Sequence, residues 1–101
     1  NLVVAKPHLS LAEGAIRGWD ASTSYYYPLL EGLAKHYRFN LQQPFEKLSK
    51  QIQDLVLYGS GGQEIEFVYV DHHRKVIRRH VFEGILNNLE RRYRETDSDW
   101  M

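Results

Sequence analysis

At 101 residues the chain has the length of one domain, with room for a modest hydrophobic core and little for the deep cleft of an enzyme. Hydrophobic residues make up 43% and charged residues 26%, which excludes a disordered or fibrous class; no apolar run approaches the roughly 20 residues of a bilayer span, and nothing at the start reads as a signal peptide. The absence of cysteine excludes a disulfide framework and any thiolate metal site in these residues and fits a reducing cytoplasm, while the zero net charge conceals a segment, residues 72–94, of local charge +5.

Taken in chain order, "PHLSLAEGAIRGWD" sets Ser10 three residues before Glu13, the spacing of a capping box, and predicts a short helix that Gly14 ends. "STSYYYPLLEGLAKHYRFN" offers cap residues at Ser22–Ser24 and an early Pro28. Tyr26, Leu29, Leu30, Leu33, Ala34 and Tyr37 then share one face of a helix that stops at Asn40. "QQPFEKLSKQIQDLVLYG" predicts one or two short helices from Pro44, with Phe45, Leu48, Ile52, Leu55 and Val56 inward and Gly59 as a left-handed C-terminal cap. Two alternating runs, "EIEFVYV" and "VIRRHVF", flank the polar "DHHRK" and predict a β-hairpin with a longer loop. "EGILNNLERRYRET" predicts a last helix with Ile85, Leu86, Leu89 and Tyr93 inward. Ion pairs Glu90–Arg94 and Arg91–Glu95 are expected on its exposed side, and "DSDWM" reads as the start of a further helix. The fold class expected is α+β, a mostly helical small domain with one β-hairpin.

Several stretches invite a chemical reading. Gly59, Ser60, Gly61 and Gly62 have the composition of a phosphate loop, but a strand rather than a helix follows them. No lysine appears until Lys75, so a nucleotide site is disfavoured. His72, His73 and His80 are the best-spaced metal candidates; adjacent histidines point to opposite sides and only Asp71 lies nearby, so no metal site is expected. Trp19 with Tyr25, Tyr26 and Tyr27 suggests a base-stacking platform. Neighbours on a helix point about 100° apart, however, and the simpler expectation is one or two core rings and one surface tyrosine. No catalytic residue emerges.

The basic segment is the more informative feature. Arg78 and Arg79 fall on opposite faces of the second strand, and Arg74 and Lys75 sit at the hairpin tip. If Val70 lies opposite Val76, Glu66 lies opposite His80 and diagonal to Arg78, so cross-strand pairing consumes part of this charge while the tip stays free. Arg91, Arg92 and Arg94 form a second basic edge if the last helix packs beside the hairpin, with Glu90 and Glu95 able to neutralise two of them. Taken by itself, the pattern admits nucleic-acid binding as one option beside a solvated charged face.

"LSLAEGAIRGWD", "YYYPLLEGLAKHY", "LYGSGGQEIEF" and "RRHVFEGILNNLERRYRET" resemble, in order and spacing and from about Leu9 to Thr96, a segment of the UvrA family, the damage-recognition ATPases of the bacterial UvrABC excinuclease. In that family the stretch is an insertion domain beside zinc-binding cysteines in the first ATPase half, regarded as a DNA-binding module. The resemblance therefore implies a non-catalytic DNA-binding module of the damage-recognition component of nucleotide excision repair, excised from a larger cytoplasmic ATPase. It implies no cofactor in these residues, ATP and zinc being bound elsewhere in the parent. The implied partners are double-stranded DNA, other domains of the parent protein, the parent dimer and the second excinuclease component (UvrB). The DNA-contacting positions, chosen on charge, are Arg74, Lys75, Arg78 and Arg79, then Arg91, Arg92 and Arg94. The competing reading is a docking or clamp module with little DNA contact.

Overall fold

The computed structural model describes residues 3–100. After an irregular N-terminal segment come helix α1 (Tyr27–Tyr37), a 3-10 turn (Phe45–Lys47), helix α2 (Lys50–Tyr58), strands β1 (Glu64–Asp71) and β2 (Arg74–Val81), and helix α3 (Ile85–Trp100). The strands form one antiparallel two-stranded sheet, so the α+β class with a single hairpin holds. Among the described residues, no helix is long and apolar enough to cross a membrane.

The capping box forms, but the helix does not. Glu13 N–H donates to Ser10 Oγ at 3.1 Å and Ser10 N–H donates to the Glu13 carboxylate at 3.0 Å, yet the box closes only a single turn. The chain turns away at Gly14 (φ 110°), and the segment sinks Leu11, Ala15, Ile16 and Trp19 into the core without regular structure. It is tied to the 3-10 turn by bonds from Phe45 N–H to Leu9 O (2.9 Å) and from Glu46 N–H to Pro7 O (3.0 Å).

Helix α1 carries Pro28 in its first turn, where a missing N–H breaks no bond. Thr23, in the expected stretch of cap residues, accepts from Tyr27 N–H through its hydroxyl at 3.1 Å. The helix ends at Arg38, held left-handed at φ 58° and ψ 58°, two residues before the expected stop. Leu29, Leu30 and Leu33 are buried. In α2, Ser49 caps the N-terminus by accepting from Ile52 N–H, and Val56 and Leu57 are buried while Ile52 and Leu55 are half-buried.

Gly59 closes α2 by donating to Leu55 O at 2.8 Å, but at φ 102° and ψ 178° its backbone is a mirror-extended form rather than the left-handed cap expected. The reason is a close crossing of two chain segments. A Cβ on Gly59 would lie 2.5 Å from Phe82 O, and one on Gly84 would lie 2.4 Å from the Tyr58 carbonyl carbon. Ser60 fastens the crossing: its N–H donates to Phe82 O, Phe82 N–H donates to Ser60 Oγ, and that hydroxyl donates to Gln63 O, each at 2.8 Å. The glycine-rich stretch is thus a clasp between α2 and the end of the hairpin, with its Ser60 hydroxyl and amide spent on protein partners.

The hairpin is longer and tighter than its sequence suggests. Pairing runs from Glu64 opposite Val81 to Asp71 opposite Arg74, which leaves only His72 and His73 as loop residues. Glu66 therefore faces Arg79, not His80, and Val70 faces Lys75, not Val76. A two-residue loop that follows the strand twist needs positive φ at both central positions, and His72 and His73 supply it at 49° and 67°. Histidine is one of the few side chains enriched there, although Asn-Gly is the signal that sequence reading looks for.

A two-stranded hairpin is at best marginally stable alone. This one is held by β1, whose Ile65 and Phe67 are fully buried, each contributing about 2 kcal/mol of apolar transfer. They join Trp19, Leu30, Leu33, Phe45, Val56, Phe82 and Ile85 in the core. β1 lies against α1 at Gly32, where the backbones come so close that an added Cβ would sit 2.5 Å from the Phe67 ring and 2.9 Å from Glu66 O.

Helix α3 packs on α2 and differs from its expected stripe. Ile85 is buried and Leu86 half-buried, but Leu89 and Tyr93 are exposed, and the buried residue of the next turn is Asn88. The amide is satisfied, donating to Glu83 Oε1 at 2.8 Å and accepting from Arg92 at 3.3 Å. The helix runs unbroken through "DSDW", so that stretch continues α3 instead of starting a new one; Met101 lies outside the described residues.

Gly32→Ala separates helix propensity from packing. In an open helix the change gains about 1 kcal/mol, whereas here the methyl must displace Phe67 and the β1 backbone. We expect a net loss of about 1–3 kcal/mol in urea unfolding; a gain would show that α1 and β1 are not in this contact.

Candidate nucleic-acid interface

The register sorts the hairpin side chains onto two faces, because residues directly opposite on antiparallel strands point the same way. The inner face carries Ile65 with His80, Phe67 with Arg78, Tyr69 with Val76, and Asp71 with Arg74. The outer face carries Glu64 with Val81, Glu66 with Arg79, Val68 with Ile77, and Val70 with Lys75. Of the basic positions expected in the hairpin, Arg74 and Arg78 therefore lie on the inner face, and Lys75 and Arg79 on the outer one. All four are exposed.

None of these four cations has an ion-pair partner among the described residues. Glu66 stands opposite Arg79 in the ladder without forming a salt bridge to it. The neutralisation expected from the sequence thus does not occur in the hairpin. At the loop, His72 lies 3.4 Å from Asp71, an exposed contact. His80 is separated from the loop histidines and stacks on Phe67, with ring centroids 4.5 Å apart and planes 26° apart. Among the described residues, no three metal-ligating side chains converge.

Helix α3 does spend its arginines. Arg91 donates to both carboxylate oxygens of Glu83, at 2.9 and 3.2 Å, and to Glu95 at 3.0 Å. Arg94 pairs with Glu90 at 2.7 Å, so both expected i,i+4 pairs form. Glu83 is the hub, bonded also to Asn88, and the Arg91 guanidinium beside it holds its carboxyl below the usual range. Arg92 behaves differently. Besides its bond to Asn88, its guanidinium lies 5.2 Å above the Tyr26 ring, a cation–π distance.

The Tyr26 contact joins the last helix to the hairpin. Tyr26 packs on buried Trp19 at 4.5 Å and meets the edge of Tyr25 at 5.0 Å; Tyr25 in turn stacks on Tyr69 of β1 at 6.2 Å with planes 27° apart. Burial raises the Tyr69 hydroxyl pKa, as does Tyr25, and Arg78 acts in the opposite sense. Beyond the tyrosine pair is a groove of about 360 Å³ lined by Tyr25, Tyr69, Asp71, Val76, Arg78 and His80. A line of ring contacts thus runs from Arg92 through Tyr26 and Tyr25 to Tyr69, beside the groove that Arg78 also lines. Tyr69 is the member that sequence reading missed, because strand alternation marks it as core.

The chain matches, over residues 1–101, the family described as the UvrA DNA-binding domain. It is 56% identical over 97 residues to UvrABC system protein A of Pasteurella multocida, covering 95% of this chain and 10% of that protein. It is 53% identical over 98 residues to the protein of the same name from Vibrio cholerae, covering 96% and 10%, and 53% identical over 97 residues to that of Escherichia coli K12, covering 95% and 10%. The chain spans about a tenth of the length of these relatives.

The Glu83 hub gives a pH signature. Its folded-state pKa is depressed, so the stability it contributes is present above the unfolded carboxylate range and lost as pH falls through the folded value. The pair is partly solvated, so Glu83→Gln should cost less than about 1 kcal/mol at pH 7. The gap from wild type should shrink in acid, as read by thermal unfolding at a series of pH values.

Proposed function

This chain belongs to the UvrA DNA-binding domain family, and on that premise we propose that it is the non-catalytic DNA-contacting module of a damage-recognition protein in nucleotide excision repair, gripping the duplex backbone through its basic hairpin. The observation that carries this reading is the set of four cations on β2 with no ion-pair partner among the described residues. β1 is covered at Gly32 by α1, whereas β2 is exposed along nearly its whole length. Side chains alternate along a strand, so a duplex approaching β2 edge-on meets Arg74 and Arg78 from one row and Lys75 and Arg79 from the other. Such contacts carry no base information, which suits a protein that must find chemically diverse lesions through backbone shape and deformability.

Arg91, Arg92 and Arg94 of α3 form the second rank of contributors, with Arg91 and Arg94 exchanging their ion pairs to Glu83, Glu95 and Glu90 for phosphate. In the same reading this is an excised insertion domain of a larger cytoplasmic ATPase, with ATP and zinc held outside these residues and with the parent dimer and UvrB as partners. Relatives about ten times its length support that placement.

A second reading is favoured by the hairpin's outer face. Val68, Val70, Ile77 and Val81 are exposed there, and Val68 and Val70 border a groove of about 500 Å³ with Pro28, Gly32 and Lys35 of α1. An apolar surface of this kind suits docking on another protein surface.

Fluorescence anisotropy with duplex DNA separates the two. Binding at low salt should weaken steeply with added salt, with a log–log slope of about −0.9 per phosphate contact, or about −4 for the four hairpin cations. Arg74→Glu/Lys75→Glu should remove most of it, and Arg94→Glu should change it little. Affinity indifferent to the hairpin reversal would favour docking.

A further inference from the structure

Resting on that reading, we infer that the Tyr25–Tyr69 pair is a stacking site for an unpaired nucleobase, so that the domain binds duplex carrying a locally opened stretch more tightly than fully paired duplex.

Three observations support this. Tyr25 keeps 63% of its surface exposed although it is stacked on Tyr69, so a broad aromatic area is open to solvent where a ring serving only to pin the hairpin would be covered. The groove beside the pair, of about 360 Å³, has room for a planar heterocycle and is lined also by apolar Val76 and by Asp71, Arg78 and His80. An acceptor and donors in such a lining can meet the exposed edge of a base once its pairing partner has gone. Finally, Arg78 takes part in both features: it belongs to the cation row of β2 and lines the groove, which puts a phosphate-binding group next to the stacking surface. Single strands are held by this combination of aromatic faces and backbone-tracking cations. A base inside a duplex has both faces covered by its neighbours and cannot use it, so the site discriminates opened from closed DNA.

The test compares a fully paired duplex with the same duplex carrying a central unpaired stretch that contains 2-aminopurine. Wild type, Tyr25→Ala and Tyr25→Phe are measured by anisotropy and base fluorescence, with thermal unfolding of each. Wild type should prefer the opened duplex by roughly tenfold, a typical worth of one stacked base, and should quench the 2-aminopurine. Tyr25→Phe should keep both properties; Tyr25→Ala should lose both while binding paired duplex as wild type does. Equal wild-type affinity for the two DNAs, or a preference that survives Tyr25→Ala, overturns the stacking site and leaves backbone binding standing. Absence of binding to either DNA overturns the proposed function and this inference together.

Discussion

The rest of the molecule depends on one contact: the backbone of β1 lying against α1 at Gly32. Two strands joined by a short loop do not hold themselves in water. By dispensing with a side chain at Gly32, the helix lets Phe67 and Ile65 enter the core from one face of β1. Once β1 is fixed, the register fixes β2, and with it the direction of every basic side chain in the hairpin. The clasp at Gly59, Ser60 and Gly84 secures the other end of the same strand pair.

That arrangement divides the labour between the strands. β1 supplies the anchoring residues, while β2 buries almost nothing and keeps its cations in solvent. The contrast with α3 is electrostatic. On the helix, carboxylates four residues away, together with Glu83, neutralise Arg91 and Arg94; on β2 the carboxylate opposite the outer arginine, Glu66, does not close on Arg79. A neutral chain can in this way carry a locally cationic edge, and binding to phosphate there meets no competing internal pair. Tyrosines from the loop before α1 and from β1 connect this edge to Arg92.

Much of this is legible in the sequence where local rules and tertiary packing agree. Helices α1 and α2, the hairpin, the i,i+4 pairs of α3 and the local basic charge all follow from periodicity and spacing. The failures have specific causes. Ser10 and Glu13 form their box, but Gly14 redirects the chain before a second turn. His72 and His73 take conformations usually signalled by Asn-Gly, so the sequence suggests too long a loop and a register one residue out. Asn88 is buried because Glu83 and Arg92 satisfy it, leaving Leu89 and Tyr93 outside. The glycine-rich stretch exposes the limit of composition: close crossing of two backbones requires the same residues as a phosphate cradle. The stacking of Tyr25 on Tyr69 joins two elements far apart in the chain, and no local pattern encodes it.

Whether the β2 edge is the DNA-facing surface is tested most directly by mapping amide chemical shifts of the isotopically labelled domain during titration with duplex DNA at low salt. The largest shifts should fall on Arg74 to Arg79, with Lys50 to Tyr58 of α2 unmoved. Shifts centred instead on Pro28, Lys35, Val68 and Val70, with the β2 cations unaffected, would contradict a DNA-facing β2.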